Sequence, residues 1–384
     1  MSPSSPPRIL IATAGFGDGH NSAAKNLSLA LSSSAEVLIA DPCAKGAPLL
    51  NNTLRSGYRI TTTYAPSLWA KVYRGVEKRD FSKQQFNFMR RAETSLDLTI
   101  DSFAPDALVS TYPLYPYFMD RHRKAISHSI PIITAVTDSI EINAAWRSAP
   151  TDYWLVTDEI TRQQLIERDL PEDRIIETGF PVDPTFNTLH NISPDDPVDP
   201  FRILFFPTSK RPAVRRIIRT LLDHPSGNTS VTIVLGRNFR KLYHRALEMK
   251  RAYPGRIKIL GWTKRVPQLL TSHHLVVGKA GGATVHEALA ASTPMLVHHL
   301  VPGQEEGNLE LLRKRNGGSL ADSETKLAAA LNDLLADNAT HWRSQKRSLA
   351  KHARPNASIV AAHFILKQIA AKNSAAAPTL TPTT

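Results

Sequence analysis

At 384 residues the chain is too long for one ordinary domain and suits two of roughly 150–200 residues, each able to bury its own core. Lys plus Arg number 47 against 34 Asp plus Glu, and the net charge of +13 favours an anionic partner such as nucleic acid, a membrane surface or a phosphorylated substrate. The single cysteine, Cys43, excludes an internal disulfide framework and a multi-thiolate metal site, which suits a reducing compartment.

Residues 1–7 are Ser/Pro-rich, are expected to be disordered and do not read as a signal peptide. No run approaches 18 apolar residues, so any membrane contact is expected to be peripheral. Ile9-Leu10-Ile11-Ala12-Thr13-Ala14 reads as a short buried strand and Gly15-Phe16-Gly17-Asp18-Gly19-His20 as the loop after it. Ala23, Ala24, Leu27, Ala30 and Leu31 follow at helical spacing, which completes a strand, glycine turn and amphipathic helix. His20 stands at the mouth of the turn, beyond the carboxyl end of a strand, where open α/β sheets bind ligands. A packing role at the helix start is the equal alternative.

Residues 37–41 read as the second strand. Residues 49–93 form a long excursion in which aromatics such as Tyr58, Tyr64 and Trp69 alternate with cations such as Arg55, Arg59 and Lys71. Such a segment could stack bases, lie in a lipid headgroup layer, or be a plain amphipathic insertion. Strands return at 107–110, 131–136, 153–156 and 175–179, with a helix at 158–168, in the alternation of a parallel sheet. Three prolines within residues 193–200 mark a linker, and a second α/β series begins at once, with strands at 202–206, 231–235, 257–260, 275–277 and 295–297. Residues 323–354, rich in Ala, Lys and Arg, read as surface helices. One more amphipathic helix spans 358–371, and 374–384 read as a disordered tail. Two such halves leave a cleft between them.

In the second series, Leu275-Val276-Val277 runs into Gly278-Lys279-Ala280-Gly281-Gly282-Ala283-Thr284, followed by a helical pattern. Unpaired N–H groups and the helix dipole make such a turn an anion site, and glycines let a phosphate approach the backbone. Glu287, about one turn in, is within reach of sugar hydroxyls attached to that phosphate. The turn is neither a Walker loop, since Lys279 precedes the glycines, nor a Gly-x-Gly-x-x-Gly. His273-His274 and His298-His299 point to opposite faces of a strand and lack ligand spacing, so no metal is expected. Trp262 reads as partly core, with the backbone near Val266 better placed to touch a base.

Seven motifs in order carry a family resemblance over about residues 8–335. They are Gly17-Asp18-Gly19-His20 with Ala23-Ala24; Val136-Thr137-Asp138 with Trp146; Thr178-Gly179-Phe180-Pro181-Val182; Gly236-Arg237-Asn238; Gly261-Trp262; Lys279-Ala280-Gly281-Gly282-Ala283-Thr284 with Glu287; and Pro302-Gly303-Gln304-Glu305 with Gly307-Asn308. The chain resembles the monogalactosyldiacylglycerol synthase and processive diacylglycerol glucosyltransferase family, relatives of the glycosyltransferase that makes lipid II.

That resemblance implies an α/β, GT-B architecture of two Rossmann-like domains facing each other across a cleft. Residues 8–190 would hold the acceptor, 191–200 the linker and 201–354 a UDP-sugar, and a helix at 355–373 would cross back to the N-terminal domain. The implied activity is inverting transfer of a hexose, galactose or glucose, from a UDP-sugar to diacylglycerol or a related membrane lipid. The enzyme would be cytoplasmic and peripheral on an anionic membrane surface, with no cofactor beyond its UDP-sugar substrate. By the same resemblance His20 is the catalytic base, and Gly281, Gly282, Ala283 and Thr284 take the diphosphate opposite Gly19. Glu287 would take the ribose, Gln304 and Glu305 the sugar or ribose hydroxyls, and Gly236, Arg237, Asn238, Trp262 and Val266 would complete the donor site. Asp138, Asn143 and Trp146, with part of residues 49–93, would face the acceptor.

The chemistry suits these residue types. An imidazole can take the acceptor's proton near neutral pH, and a helix N-terminus can stabilise departing UDP without a metal. No Asp-x-Asp occurs, which weakens a metal-dependent glycosyltransferase, and no nucleic-acid-binding motif accompanies the charge. Three positions depart from the family pattern. Phe206-Pro207-Thr208-Ser209-Lys210-Arg211-Pro212 replaces a glycine-rich loop, so that Thr208, Ser209 and the two cations would stand in for backbone donors. Asn143 stands where the family often has His, and Asp18 replaces a glycine, placing a carboxylate beside His20 that could orient it or raise its pKa. A catalytically weakened UDP-sugar- or lipid-binding protein, or a GT-B transferase with another amphiphilic acceptor, therefore stays open. A UDP-sugar epimerase is disfavoured because no carboxylate-rich centre is evident.

Overall fold

The structure is a computed structural model that describes residues 5–65, 67–69, 71, 75, 86–127, 129–208, 211–225, 228–303 and 305–376. In the first half, β1 (Arg8–Ala12), β2 (Glu36–Ala40), β3 (Ala107–Ser110), β4 (Ile132–Ala135), β5 (Tyr153–Val156) and β6 (Ile175–Glu177) form one sheet in the order β2-β1-β3-β4-β5-β6. Every pairing is parallel. These strands are short and β3 and β4 are buried along their whole length, as expected where helices cover both faces of a parallel sheet. The connections are α1 (Asp18–Leu31), α2 (Pro42–Gly46), α3 (Pro48–Tyr64), α4 (Arg90–Phe103), α5 (Tyr115–Ala125), α6 (Ala144–Arg147) and α7 (Glu159–Ile166).

The second half repeats the plan with β7 (Phe201–Phe205), β8 (Thr229–Val234), β9 (Ile257–Leu260), β10 (Leu275–Lys279), β11 (Met295–His299) and β12 (Gly318–Leu320), ordered β12-β11-β10-β7-β8-β9 and again all parallel. Its helices are α8 (Arg211–Leu222), α9 (Phe239–Ala252), α10 (Val266–Ser272), α11 (Gly282–Ala290), α12 (Glu306–Lys314), α13 (Glu324–His352) and α14 (Ala357–Ala376). Strand order reverses between β1 and β3 and again between β7 and β10. At such reversals the loops leave the carboxyl ends of adjacent strands in opposite directions and open a crevice.

The halves share a core. Ala23, Phe180, Val182 and Phe186 from the first half join Val276, Val285 and Ala288 from the second in one buried apolar cluster. The last helix returns to the first sheet, where Ala361, Ala362, Ile365 and Ile369 pack with Ile9, Ile11 and Leu27.

Three sequence expectations are corrected. Residues 323–354 are helical but not merely surface: α13 is broken at Ala336–Ala339, and it buries Leu327, Leu331 and Leu334, spaced three to four residues apart, before the break and Trp342, Lys346 and Leu349, again three to four apart, after it. Residues 374–376, expected in a disordered tail, continue α14, while 377–384 lie outside the described residues. The strand β12 carries no apolar run and was not foreseen.

Candidate active site

The first wall of the site grows from β1. Gly15 in the loop after it donates its N–H to Asp41 Oδ2 at 3.1 Å, and Asp41 also caps α2 through Ala44 N–H. Gly17, in extended backbone, begins α1, and His20 falls in the first turn of the helix, half-buried. Its Nδ1 lies 2.9 Å from Thr137 Oγ1, the Tyr112 ring meets it edge-on at 5.4 Å, and the Trp146 ring lies 6.0 Å away. Burial pushes the imidazole down to about 4, opposed by a hydrogen bond to the Thr111 backbone carbonyl, so at neutral pH the ring is uncharged and can accept a proton.

Next to Thr137, burial pushes the Asp138 carboxyl up to about 6, opposed by the Trp146 indole N–H that it accepts at 2.8 Å. Trp146 is fully buried, so it orders this corner rather than presenting a ring to solvent. Asn143 is also buried; its Oδ1 accepts Ala145 N–H at 3.0 Å and its Nδ2 has no partner among the described residues.

The second wall is the turn after β10. The register with β11 shifts between Gly278 and Lys279, and Gly281 begins α11 with no side-chain cap. The N–H groups of Gly282, Ala283 and Thr284 open the helix, where no preceding turn exists to accept them. Lys279 Nζ donates to Glu305 Oε1 at 2.7 Å, and Glu305 Oε2 accepts Val301 N–H at 3.0 Å. Both oxygens of buried Glu305 are therefore engaged, which leaves its carboxylate bracing the turn. Glu287 faces the first half: burial chiefly, and the Asp183 carboxylate in addition, push its carboxyl up to about 8, with Lys25 opposing.

Two glycines bring the walls together. A Cβ on Gly282 would lie 2.9 Å from the Thr137 carbonyl oxygen, and one on Gly307 would lie 2.0 Å from that of Ser139. Between them His286 Nε2 lies 2.8 Å from Ser139 Oγ, and its ring stacks on Phe180 at 4.9 Å. Thr137 thus touches His20 through its side chain and the start of α11 through its backbone.

Beside that junction lies a cleft of about 640 Å³. Gly15, Phe16 and Gly17 line it with α3 on one side; Thr208, Arg237, Asn238, Lys279 and Thr284 line it on the other. Arg55, Arg59, Arg237 and Lys279 give it four cations and, among the described lining residues, no carboxylate. Such a lining concentrates anions. Gly236, at φ +52, turns the chain so that Arg237 and Asn238 reach this lip.

Other expected site residues lie elsewhere. Trp262 is corrected: it is 62% exposed rather than core, and the cleft lining does not include it. Val266 packs partly buried against the core shared by the halves. Gly19 lies in the first turn of α1 beside His20. Ser209, Gln304 and the Asp18 side chain lie outside what the structure describes. Sequence reasoning missed Tyr112 and Thr137 as His20's partners, and it gave the 49–93 segment no particular cleft-facing residues. The Thr-Tyr-Pro that ends β3 was a usable signal, since it stands at the same strand reversal as the His20 loop.

Comparison with known proteins bears on the fold and the resemblance. Residues 20–182 match the family model for monogalactosyldiacylglycerol (MGDG) synthase. The processive diacylglycerol beta-glucosyltransferase of Bacillus thuringiensis (strain Al Hakam) is 23% identical over 346 residues, covering 86% of each chain. Among solved structures, Acinetobacter baumannii MurG superposes with a TM-score of 0.62 at 14% identity, covering 94% of this chain and 100% of that one. A UDP-GlcNAc 2-epimerase from Neisseria meningitidis gives 0.60 at 13% identity, covering 94% and 100%. The fold is GT-B, and the chain is related to the monogalactosyldiacylglycerol synthases and processive diacylglycerol glucosyltransferases.

Proposed function

We propose that this protein is an inverting glycosyltransferase that moves a hexose from a UDP-sugar to the free hydroxyl of diacylglycerol or a closely related lipid. The observation that carries the reading is the contact of Thr137 with both His20 and the α11 N-terminus, beside a cleft lined by cations. Neutral His20, held at Thr137 Oγ1, takes the acceptor's proton on its ring as the acceptor oxygen attacks C1. UDP leaves from the opposite face, and its new charge is met by the first N–H groups of α11 with Lys279 and Arg237. Attack and departure on opposite faces invert the anomeric centre.

Asp138, held by Trp146, positions the loop that carries Thr137. Glu287, largely protonated at neutral pH, can donate to as well as accept from a ribose hydroxyl. No metal and no cofactor enter this scheme. Among the described residues no helix is long and apolar enough to cross a membrane. Exposed Leu49, Ile60 and Tyr64 on α3, with Arg55 and Arg59 on the same helix, support an anionic lipid surface as the partner of the acceptor-side lip.

The test is a screen of UDP-glucose and UDP-galactose against diacylglycerol in vesicles, read by the mass and anomeric configuration of the lipid product. A β-linked monohexosyl lipid is expected from one donor. Binding of both donors without any hexosylated lipid contradicts the proposal and favours a binding protein.

A further inference from the structure

Residues 236–265 hold ten Lys and Arg against one carboxylate, Glu248. That carboxylate is already taken, accepting from Arg215 Nε at 2.9 Å and from Arg245 at 3.1 Å. The segment runs from the turn after β8 through α9 and the edge strand β9 to the start of α10. β8 and β9 pair in register at Val234 and Leu260, and Leu235 N–H donates to the Leu260 carbonyl at 2.9 Å, so the chain leaves both strands side by side.

What gathers there is aromatic as well as basic. Phe239 and Tyr243 stack at 4.7 Å, and a Cβ on Gly261 would lie 3.4 Å from the Phe239 ring, which brings Trp262 to the same corner. Phe239, Tyr243 and Trp262 are 38, 37 and 62% exposed, and Arg240, Lys264 and Arg265 beside them are exposed too. Arg237 and Asn238, immediately before Phe239, line the cleft. Amphipathic rings that leave water at one edge, set among cations without carboxylates, suit the headgroup layer of an anionic bilayer. A single-stranded nucleic acid would use the same rings and charge. The lipid is favoured because the corner is continuous, through Arg237 and Asn238, with the cleft proposed to receive a lipid acceptor.

We propose that this corner of the second half, formed by Phe239, Arg240, Tyr243, Trp262, Lys264 and Arg265, docks on an anionic lipid surface. The membrane then meets both lips of the cleft, not only the acceptor-side lip. The inference extends the lipid-acceptor reading, but its test can fail separately.

The test is sedimentation of the full chain with phosphatidylcholine vesicles with and without phosphatidylglycerol. The variants are Arg240→Gln/Lys264→Gln/Arg265→Gln and, separately, Tyr243→Ser. Removing three interfacial cations should weaken binding to the anionic vesicles on the order of a hundredfold, and high salt should mimic the loss. Tyr243→Ser should weaken it less and with little salt dependence. Turnover of a short-chain, water-dispersed diacylglycerol should not change in either variant. Unchanged vesicle binding in the triple variant, or capture of RNA but not vesicles by the wild type, overturns the docking surface while leaving the transferase reading intact. Loss of vesicle binding in a protein that turns over no donor upholds the surface and removes the transferase.

Discussion

His20 owes its proton affinity to where it sits. The imidazole lies under Tyr112 and Trp146, and burial holds it near 4, so it is neutral from mildly acid pH upward. The acid limb of kcat/KM should therefore fall near pH 4 and not near 6.5, where an ordinary histidine titrates. A limb at 6.5 that persists in Asp138→Asn would show that the ring is more solvated than this packing allows. Glu287 behaves in the opposite sense. Its folded pKa is raised to about 8, so the folded state holds a proton that the unfolded chain has already released, and the stability this gives at low pH is lost as pH rises through 8. Glu287→Gln should leave the melting temperature nearly unchanged at pH 5 and raise it by on the order of 3 °C at pH 8.5. A fall at pH 8.5 would mean that the carboxylate has a cation partner there. Sequence placed His20 and Glu287 on the two loops but could not show these environments, which come from residues more than a hundred positions away, Thr137 for one and Asp183 for the other. Glu305 illustrates the same gap, since nothing local reveals that Lys279 and the Val301 N–H occupy its oxygens.

At the scale of elements, the helix starts at α11 and α12 are governed by contact between the halves. Gly282 reads from sequence as room for a phosphate and Gly307 only as part of a motif; in the fold both lie directly against the backbone of residues 137–139. Helix propensity alone predicts that Gly307→Ala stabilises the protein by about 0.5–1 kcal/mol. The blocked Cβ position reverses that sign, and a loss of about 1–3 kcal/mol is expected in denaturant unfolding, with turnover reduced as α12 is pushed off the Ser139 loop. A more stable Gly307→Ala variant would contradict this packing. Eleven of the twelve strands among the described residues were legible, because a buried parallel strand is a short apolar run between turn residues. Gly318-Ser319-Leu320 was not, since three residues at a sheet edge carry no periodic signal. α13 was misjudged because a break at residues 336–339 splits its buried stripe in two and small and basic residues cover the outer face of each part.

For the whole molecule, the two-sheet GT-B plan was readable from the repeated strand, turn and helix pattern, and seven motifs in order pointed to its relatives. The cleft itself was readable only as an expectation. Its cationic lining is assembled from α3, the turn after β8 and Lys279, segments up to some 220 residues apart that no local pattern connects. On the proposed function that assembly would separate two jobs: the cleft would hold the donor's charge, and His20, bonded to Thr137, would take the acceptor's proton. The most direct measurement is His20→Ala, with UDP affinity from calorimetry set beside turnover of the UDP-sugar on diacylglycerol vesicles. Turnover should fall on the order of 10²–10⁴-fold while UDP affinity hardly changes. Equal losses in both, or full turnover without the imidazole, would contradict the assignment of proton transfer to His20.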